Sequence, residues 1–133
     1  MISLDTNVLM RYLLQDDMRQ HEIARQLIAD QFALRQKVVV TLLVVLECEW
    51  VLRSSYRYTK PAILSTFSSL LLVDEIAIEE PTILENALLL WQRRSVNFAN
   101  CLILARGNGL GCAAMATFDI RASKLPGCVL LKP

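Results

Sequence analysis

Apolar residues recur along this chain in two rhythms. Short runs of aliphatic and β-branched residues, Met1 to Leu4, Lys37 to Thr41, Glu75 to Glu79, Ala113 to Phe118 and Gly127 to Leu131, predict strands. Between them, apolar positions repeat at helical spacing. Asp5-Thr6-Asn7 supplies capping residues for a helix over Val8 to Leu14, which ends near Gln15-Asp16-Asp17. A second helix runs to about Arg35, with Ile23, Leu27, Ile28 and Phe32 expected inward and Arg19, Glu22, Arg25 and Gln26 outward. His21 falls on that charged side and reads as solvated.

Thr41 or its neighbours start a helix through Trp50 to Ser54. Thr59-Lys60-Pro61 opens another, carrying Ile63, Phe67, Leu70 and Leu71, with Pro61 in a first turn that needs no N–H from it. Pro81 begins a helix with Ile83, Leu84, Ala87, Leu88 and Trp91 on one face. Phe98 to Arg106 is helical, and Gly107, Gly109 and Gly111 are expected to end it. Strands alternating with helices predict an α/β fold, a central, mainly parallel sheet with helices on both faces in three α/β/α layers. With 133 residues and no linker or repeat, the expected organisation is a single domain, residues 1–133.

Composition narrows the function classes. The hydrophobic share is 54%, or about 55% with the four Gly counted in place of the three Tyr, above the roughly 45–50% of ordinary soluble domains on that definition, and it predicts a surface covered by a partner or a second copy, so a homodimer is expected. The formal charge is +1, so any nucleic-acid contact must be a local patch. Asp5 interrupts the apolar run a signal peptide would need, and no run approaches the ~20 residues of a membrane span; a cytoplasmic location is expected. Cys48, Cys101, Cys112 and Cys128 form no CxxC pair and there is one His, which argues against zinc. Cys48 and Cys101 lie in apolar runs and read as buried.

In parallel α/β sheets, ligands bind beyond the carboxyl ends of strands. Asp5 and Asp119 both follow strands, where capping of the next helix is the competing role. Glu47 interrupts an apolar helix and has Leu43 and Val51 as its neighbours four residues away, so a paired or metal-bound carboxylate is expected there. Glu49 has Arg53 four residues on and reads as a solvent-facing pair. Asn97 and Asn100 share a helix face, and one cap explains only one of them. The glycine-rich stretch Gly107 to Gly111 follows a helix and precedes a strand, the reverse of a phosphate loop.

These segments together, Leu4-Asp5-Thr6-Asn7-Val8-Leu9, Leu46-Glu47 with Trp50-Val51-Leu52, Phe98-Ala99-Asn100 with Cys101-Leu102-Ile103, and Thr117-Phe118-Asp119 with Lys124-Leu125-Pro126-Gly127, resemble a PIN domain. More narrowly they resemble the VapC-type toxins of bacterial toxin–antitoxin pairs, over essentially the whole chain. The resemblance implies a Mg²⁺- or Mn²⁺-dependent endoribonuclease that cleaves RNA and is neutralised by an antitoxin protein seated in its groove. It maps the metal-binding and catalytic positions onto Asp5, Glu47, Asn100 and Asp119, with Thr6, Asn97 and Thr117 in support.

Position 100 departs from the family, which has Asp there; Asn97 stands where many relatives also have Asp. An amide oxygen ligates a hard cation but brings no charge, so metal binding and catalysis are expected to weaken. A natural loss and a deliberate replacement both give this sequence. The alternative function is therefore a catalytically inactive PIN domain that binds antitoxin and RNA. For phosphate contact the candidates are Arg11, Arg53, Arg57, Arg93, Arg94 and Arg121, with Tyr56 or Tyr58 as stacking platforms. A receiver-like Mg²⁺ domain would need an acidic pair after the first strand, whereas Asp16-Asp17 follows a helix.

Overall fold

In the computed structural model, which describes residues 1–133, the first apolar run forms β1 (Ile2–Ser3), and the chain turns at Asp5 into α1 (Thr6–Leu13). Next come α2 (Met18–Ala33), β2 (Val38–Val40), α3 (Leu42–Ser54), α4 (Lys60–Leu70) and β3 (Ile76–Ile78). The three strands form one parallel sheet in the order β1-β2-β3, in register through Ile2 opposite Val38 and Val38 opposite Ile76. The helices start where the sequence places capping oxygens. Asp17 accepts from Gln20 N, Thr41 from Val44 N and Thr59 from Ala62 N.

These elements make up a compact unit, Met1–Pro81. Its core holds Leu9, Val38, Val40, Val45, Cys48, Leu52, Ile63, Phe67 and Leu70, all essentially inaccessible. Each large side chain there contributes about 1.5–3 kcal/mol of burial, which outweighs the modest propensity of a β-branched run for any particular element.

Two faces differ from the sequence expectation. On α2 the buried line is His21, Ala24 and Ile28, while Ile23 is 63% exposed and Phe32 43%. The small Ala24 lets α1 and α2 approach, and the His21 ring satisfies itself there. Its Nδ1 lies 3.0 Å from the Arg11 carbonyl oxygen, and the ring stacks on Tyr12 with centroids 6.5 Å apart. His21 is therefore buried rather than solvated. On α3 the two acids exchange places. Glu49 is 3% exposed, on the stripe of Leu42, Val45, Cys48 and Leu52, and Glu47 is exposed. The expected pairing holds, with Arg53 Nε 2.8 Å from Glu49 Oε2, and that pairing makes the burial tolerable.

The second unit, Thr82–Pro133, takes in nearly all of α5 (Pro81–Arg93), then α6 (Phe98–Gly109), β4 (Met115–Thr117), a 3-10 turn at Ala122–Lys124 and β5 (Cys128–Leu130). β4 and β5 pair in parallel, with Met115 opposite Cys128. The predicted face of α5 is the buried one: Ile83, Leu84, Ala87, Leu88 and Trp91. Trp91 packs on Phe98 with ring centroids 5.2 Å apart.

α6 runs further than its glycines predict, through Gly107 and Gly109. A Cβ at Gly109 would stand 2.5 Å from Ile83 Cδ1, so this glycine serves helix packing inside the element. The left-handed exit falls at Gly111, with φ +88°. All four cysteines are free, with Cys48 and Cys101 buried as expected. No helix is long and apolar enough to cross a membrane.

Candidate active site

Asp5 stands where β1 gives way to α1. The Leu4 amide donates to Val39 O at 2.9 Å, which fixes the strand end. Asp5 itself is the N-cap of α1, with Oδ1 accepting from Val8 N at 2.9 Å. The capping role and exposure to solvent thus coexist, because Oδ2 remains without a hydrogen bond. Glu47, in the middle of α3, makes no hydrogen bond or ion pair. Both carboxylates line one open recess of about 530 Å³ within the first unit, together with Thr6, Asn7, Arg11 and Tyr56 over a floor of Met10, Val44 and Val51.

Arg11 is anchored at this recess. Its Nη1 lies 3.1 Å from both oxygens of Asp16 and 3.4 Å from the Tyr56 hydroxyl, and its Nε donates to Gln20 Oε1 at 2.9 Å. The Tyr56 hydroxyl donates to Asp16 Oδ2 at 2.9 Å. This hydroxyl and the Arg11 guanidinium hold the Asp16 carboxyl below its ordinary range. Behind Glu47, burial and then the nearby Glu47 charge push the Cys48 thiol up to about 12. Cys48 is therefore an inert core thiol.

In the second unit, Asn97 is the N-cap of α6, its Oδ1 accepting from Asn100 N at 2.8 Å. Capping thus accounts for Asn97, and the half-buried Asn100 side chain is left unexplained by it. Asp119 leaves β4 exposed. Its Oδ1 accepts from Arg121 N at 2.8 Å and Ala122 N at 3.2 Å, and its own amide donates to Thr117 Oγ1 at 2.9 Å. Thr117 therefore fixes the backbone that presents Asp119. Within neither unit do three His, Cys, Asp or Glu side chains form a metal-holding group.

Of the arginines proposed for phosphate contact, only Arg11 lines the recess. Arg53 is engaged by Glu49, and Arg57 sits on left-handed backbone at φ +56°. Sequence reasoning missed Asn7 in the recess wall and Asp16 as the anchor of Arg11. It also missed Glu79, whose Oε1 accepts from Leu42 N at 2.9 Å and tethers the start of α3. No local pattern announces these contacts, since Asp16 and Tyr56 lie far apart in sequence.

The recess suits a hard divalent cation. It offers two carboxylates, one of them without a partner, and such ions are held by one or two carboxylates plus waters and substrate phosphates. No His or Cys lines it, so its candidate ligands are oxygens, the donors that hard divalent cations take.

Parallel strands, crossover helices and acids just past strand ends define an α/β protein of the mainly parallel, helix-wrapped class. The PIN-domain family profile matches residues 2–127, and the chain belongs to that family. Its fold is accordingly the three-layer α/β/α arrangement expected from the sequence. PIN nucleases generally use divalent metal ions. Among solved structures, VapC20 of Mycobacterium tuberculosis, a sarcin–ricin loop cleaving toxin, is similar over 100% of both chains, at 19% identity and a TM-score of 0.41. No curated protein matches the sequence.

Proposed function

We propose that this chain is a metal-dependent endoribonuclease toxin of a toxin–antitoxin pair. The observation that carries this reading is the pair of carboxylates, Asp5 and Glu47, in one recess of a PIN-family chain. Asp5, Glu47, Asn100 and Asp119 are the positions we assign to metal binding and cleavage, with Thr6, Asn97 and Thr117 in support and Mg²⁺ or Mn²⁺ as the cation. When bound, such an ion lowers the pKa of an attacking water and neutralises charge on phosphoryl oxygens.

The residues themselves have separable tasks. Asp5 offers Oδ2 while its other oxygen fixes α1, and Glu47 offers a fully uncommitted carboxylate. Thr117 holds the backbone of Asp119. Asn100 brings an oxygen without charge, which weakens the site's hold on a cation and the stabilisation it gives the transition state. That residue also favours the second reading, a PIN domain that binds antitoxin and RNA but cuts nothing.

The partners that follow are an RNA substrate, an antitoxin protein and a second copy of the chain, in the cytoplasm, with residues 1–133 acting as one domain. A second recess of about 350 Å³ between α1 and α2 supports a protein partner, because Ile23, Ala24 and Leu27 give it an apolar wall beside Asp5. A monomeric mass in light scattering at micromolar concentration would remove the homodimer.

Cleavage of total cellular RNA by the chain and by Asn100→Asp, each with Mg²⁺, Mn²⁺ or EDTA, tests the function. Cutting by Asn100→Asp that EDTA and a further Asp5→Asn change abolish supports the nuclease. Silence of both forms with both cations, alongside retained RNA binding, establishes the binding module instead.

A further inference from the structure

The recess holding Asp5 and Glu47 is acidic, yet the substrate read for it is a polyanion. Arg11 is the single cationic side chain in its walls. A free arginine on a surface helix loses rotamer freedom when it grips a phosphate. Here that freedom is already removed: Asp16, Gln20 and Tyr56 take Nη1 and Nε, and Nη2 makes no hydrogen bond. The guanidinium plane is fixed and one nitrogen, with two N–H donors, is left open.

We propose that Asp16 and Tyr56 are positioning residues, which hold Arg11 so that its Nη2 takes a phosphate of a single-stranded RNA lying in the recess. The inference rests on the ribonuclease reading above and deepens it by naming the phosphate contact and its supports. Tyr56 acts twice, bonding Arg11 and Asp16 through one hydroxyl. Its ring carries no charge, so its effect on RNA is separable from Coulomb attraction.

Simple electrostatics gives the opposite sign for Asp16. A carboxylate 3.1 Å from Arg11 partly cancels its charge, so removing it should tighten binding of any polyanion if only charge mattered. Positioning makes Asp16→Asn weaken binding despite the gain in net positive charge.

The test is fluorescence anisotropy of a labelled, mixed-sequence single-stranded RNA in EDTA, which reads binding without cleavage. We expect Arg11→Gln to weaken binding and lower the salt slope by about 0.7. Asp16→Asn and Tyr56→Phe should each weaken it about three- to tenfold with circular dichroism unchanged. Asp16→Asn binding equally or more tightly overturns the inference and leaves the ribonuclease reading standing. Should Asp16→Asn fail to fold, unchanged affinity in Tyr56→Phe overturns it equally. No RNA binding by the unaltered chain in EDTA also overturns the inference, and cleavage by Asn100→Asp with Mg²⁺ or Mn²⁺ then decides the ribonuclease reading by itself.

Discussion

Glu49 and Arg53, one turn apart on α3, form an unequal ion pair, with a carboxylate side chain 4% exposed and a guanidinium 51% exposed. The acid lies among core residues and depends on a cation that reaches it from solvent. Removing the cation leaves the acid stranded in an apolar surround. Arg53→Ala should lower stability by about 1–3 kcal/mol in urea unfolding, less than a fully buried pair because Arg53 is itself half solvated. The double variant Glu49→Gln, Arg53→Ala should recover part of that loss. Equal stability of Arg53→Ala and the unaltered chain would show that Glu49 finds water instead.

Asp5 combines a cap and a free oxygen, and two substitutions separate them. Asn also caps well, so Asp5→Asn should change stability by less than about 0.5 kcal/mol while abolishing any cation-dependent cleavage in the Asn100→Asp background. Asp5→Ala should lose cleavage and about 1 kcal/mol of stability as well. Thermal unfolding beside an RNA cleavage assay distinguishes the two.

At the start of α6, Asn97→Ala should cost about 1 kcal/mol through loss of the bond to Asn100 N. Asn100→Asp puts an anion in the first helical turn, where the helix dipole favours it by about 0.3–1 kcal/mol. It should therefore be neutral or slightly stabilising in denaturant titration. Cleavage gained by Asn100→Asp would then be a change in the site's chemistry and not a rescue of folding. Clear destabilisation would instead indicate that the amide has a partner the charge disrupts.

The Cys48 thiol, ordinarily 9.0 and pushed up to about 12 by burial and by Glu47, makes stability depend on alkaline pH. The folded state keeps its proton where the unfolded chain gives it up. Its contribution is thus full below 9.0 and is lost as pH rises toward about 12. The melting temperature of the unaltered chain should fall more steeply above pH 9.0 than that of Cys48→Ala. Labelling with a maleimide at neutral pH should modify the exposed Cys112 first and leave Cys48 and Cys101 untouched. Rapid labelling at Cys48 would contradict its placement in the core.

What could be read from the chain follows the range of the forces involved. Strand and helix positions, caps at Asp5, Thr41 and Thr59, a cap at one of Asn97 and Asn100, and the buried face of α5 depend on neighbours within a turn or two, and the sequence pattern alone located them; the cap at Asp17 it did not single out. Asp5 and Asp119 stood out for following strands of a parallel sheet, Glu47 for interrupting an apolar helix, and Asn100 for sharing a helix face with Asn97, while the resemblance to PIN domains joined them into one candidate site.

Tertiary structure decided the rest. On α3, Glu47 and Glu49 are both flanked by apolar residues, and packing against the core, not composition, set which one is buried. On α2, packing against α1 set the helix rotation that buries His21, Ala24 and Ile28 on one face and leaves Ile23 outside, and the His21 ring meets its needs there through the Arg11 carbonyl. The linkage of Arg11 to Asp16 and Tyr56 joins two helical regions that share no local pattern. A sequence specifies such contacts only through the fold, since their energy comes from groups brought together after the chain has packed.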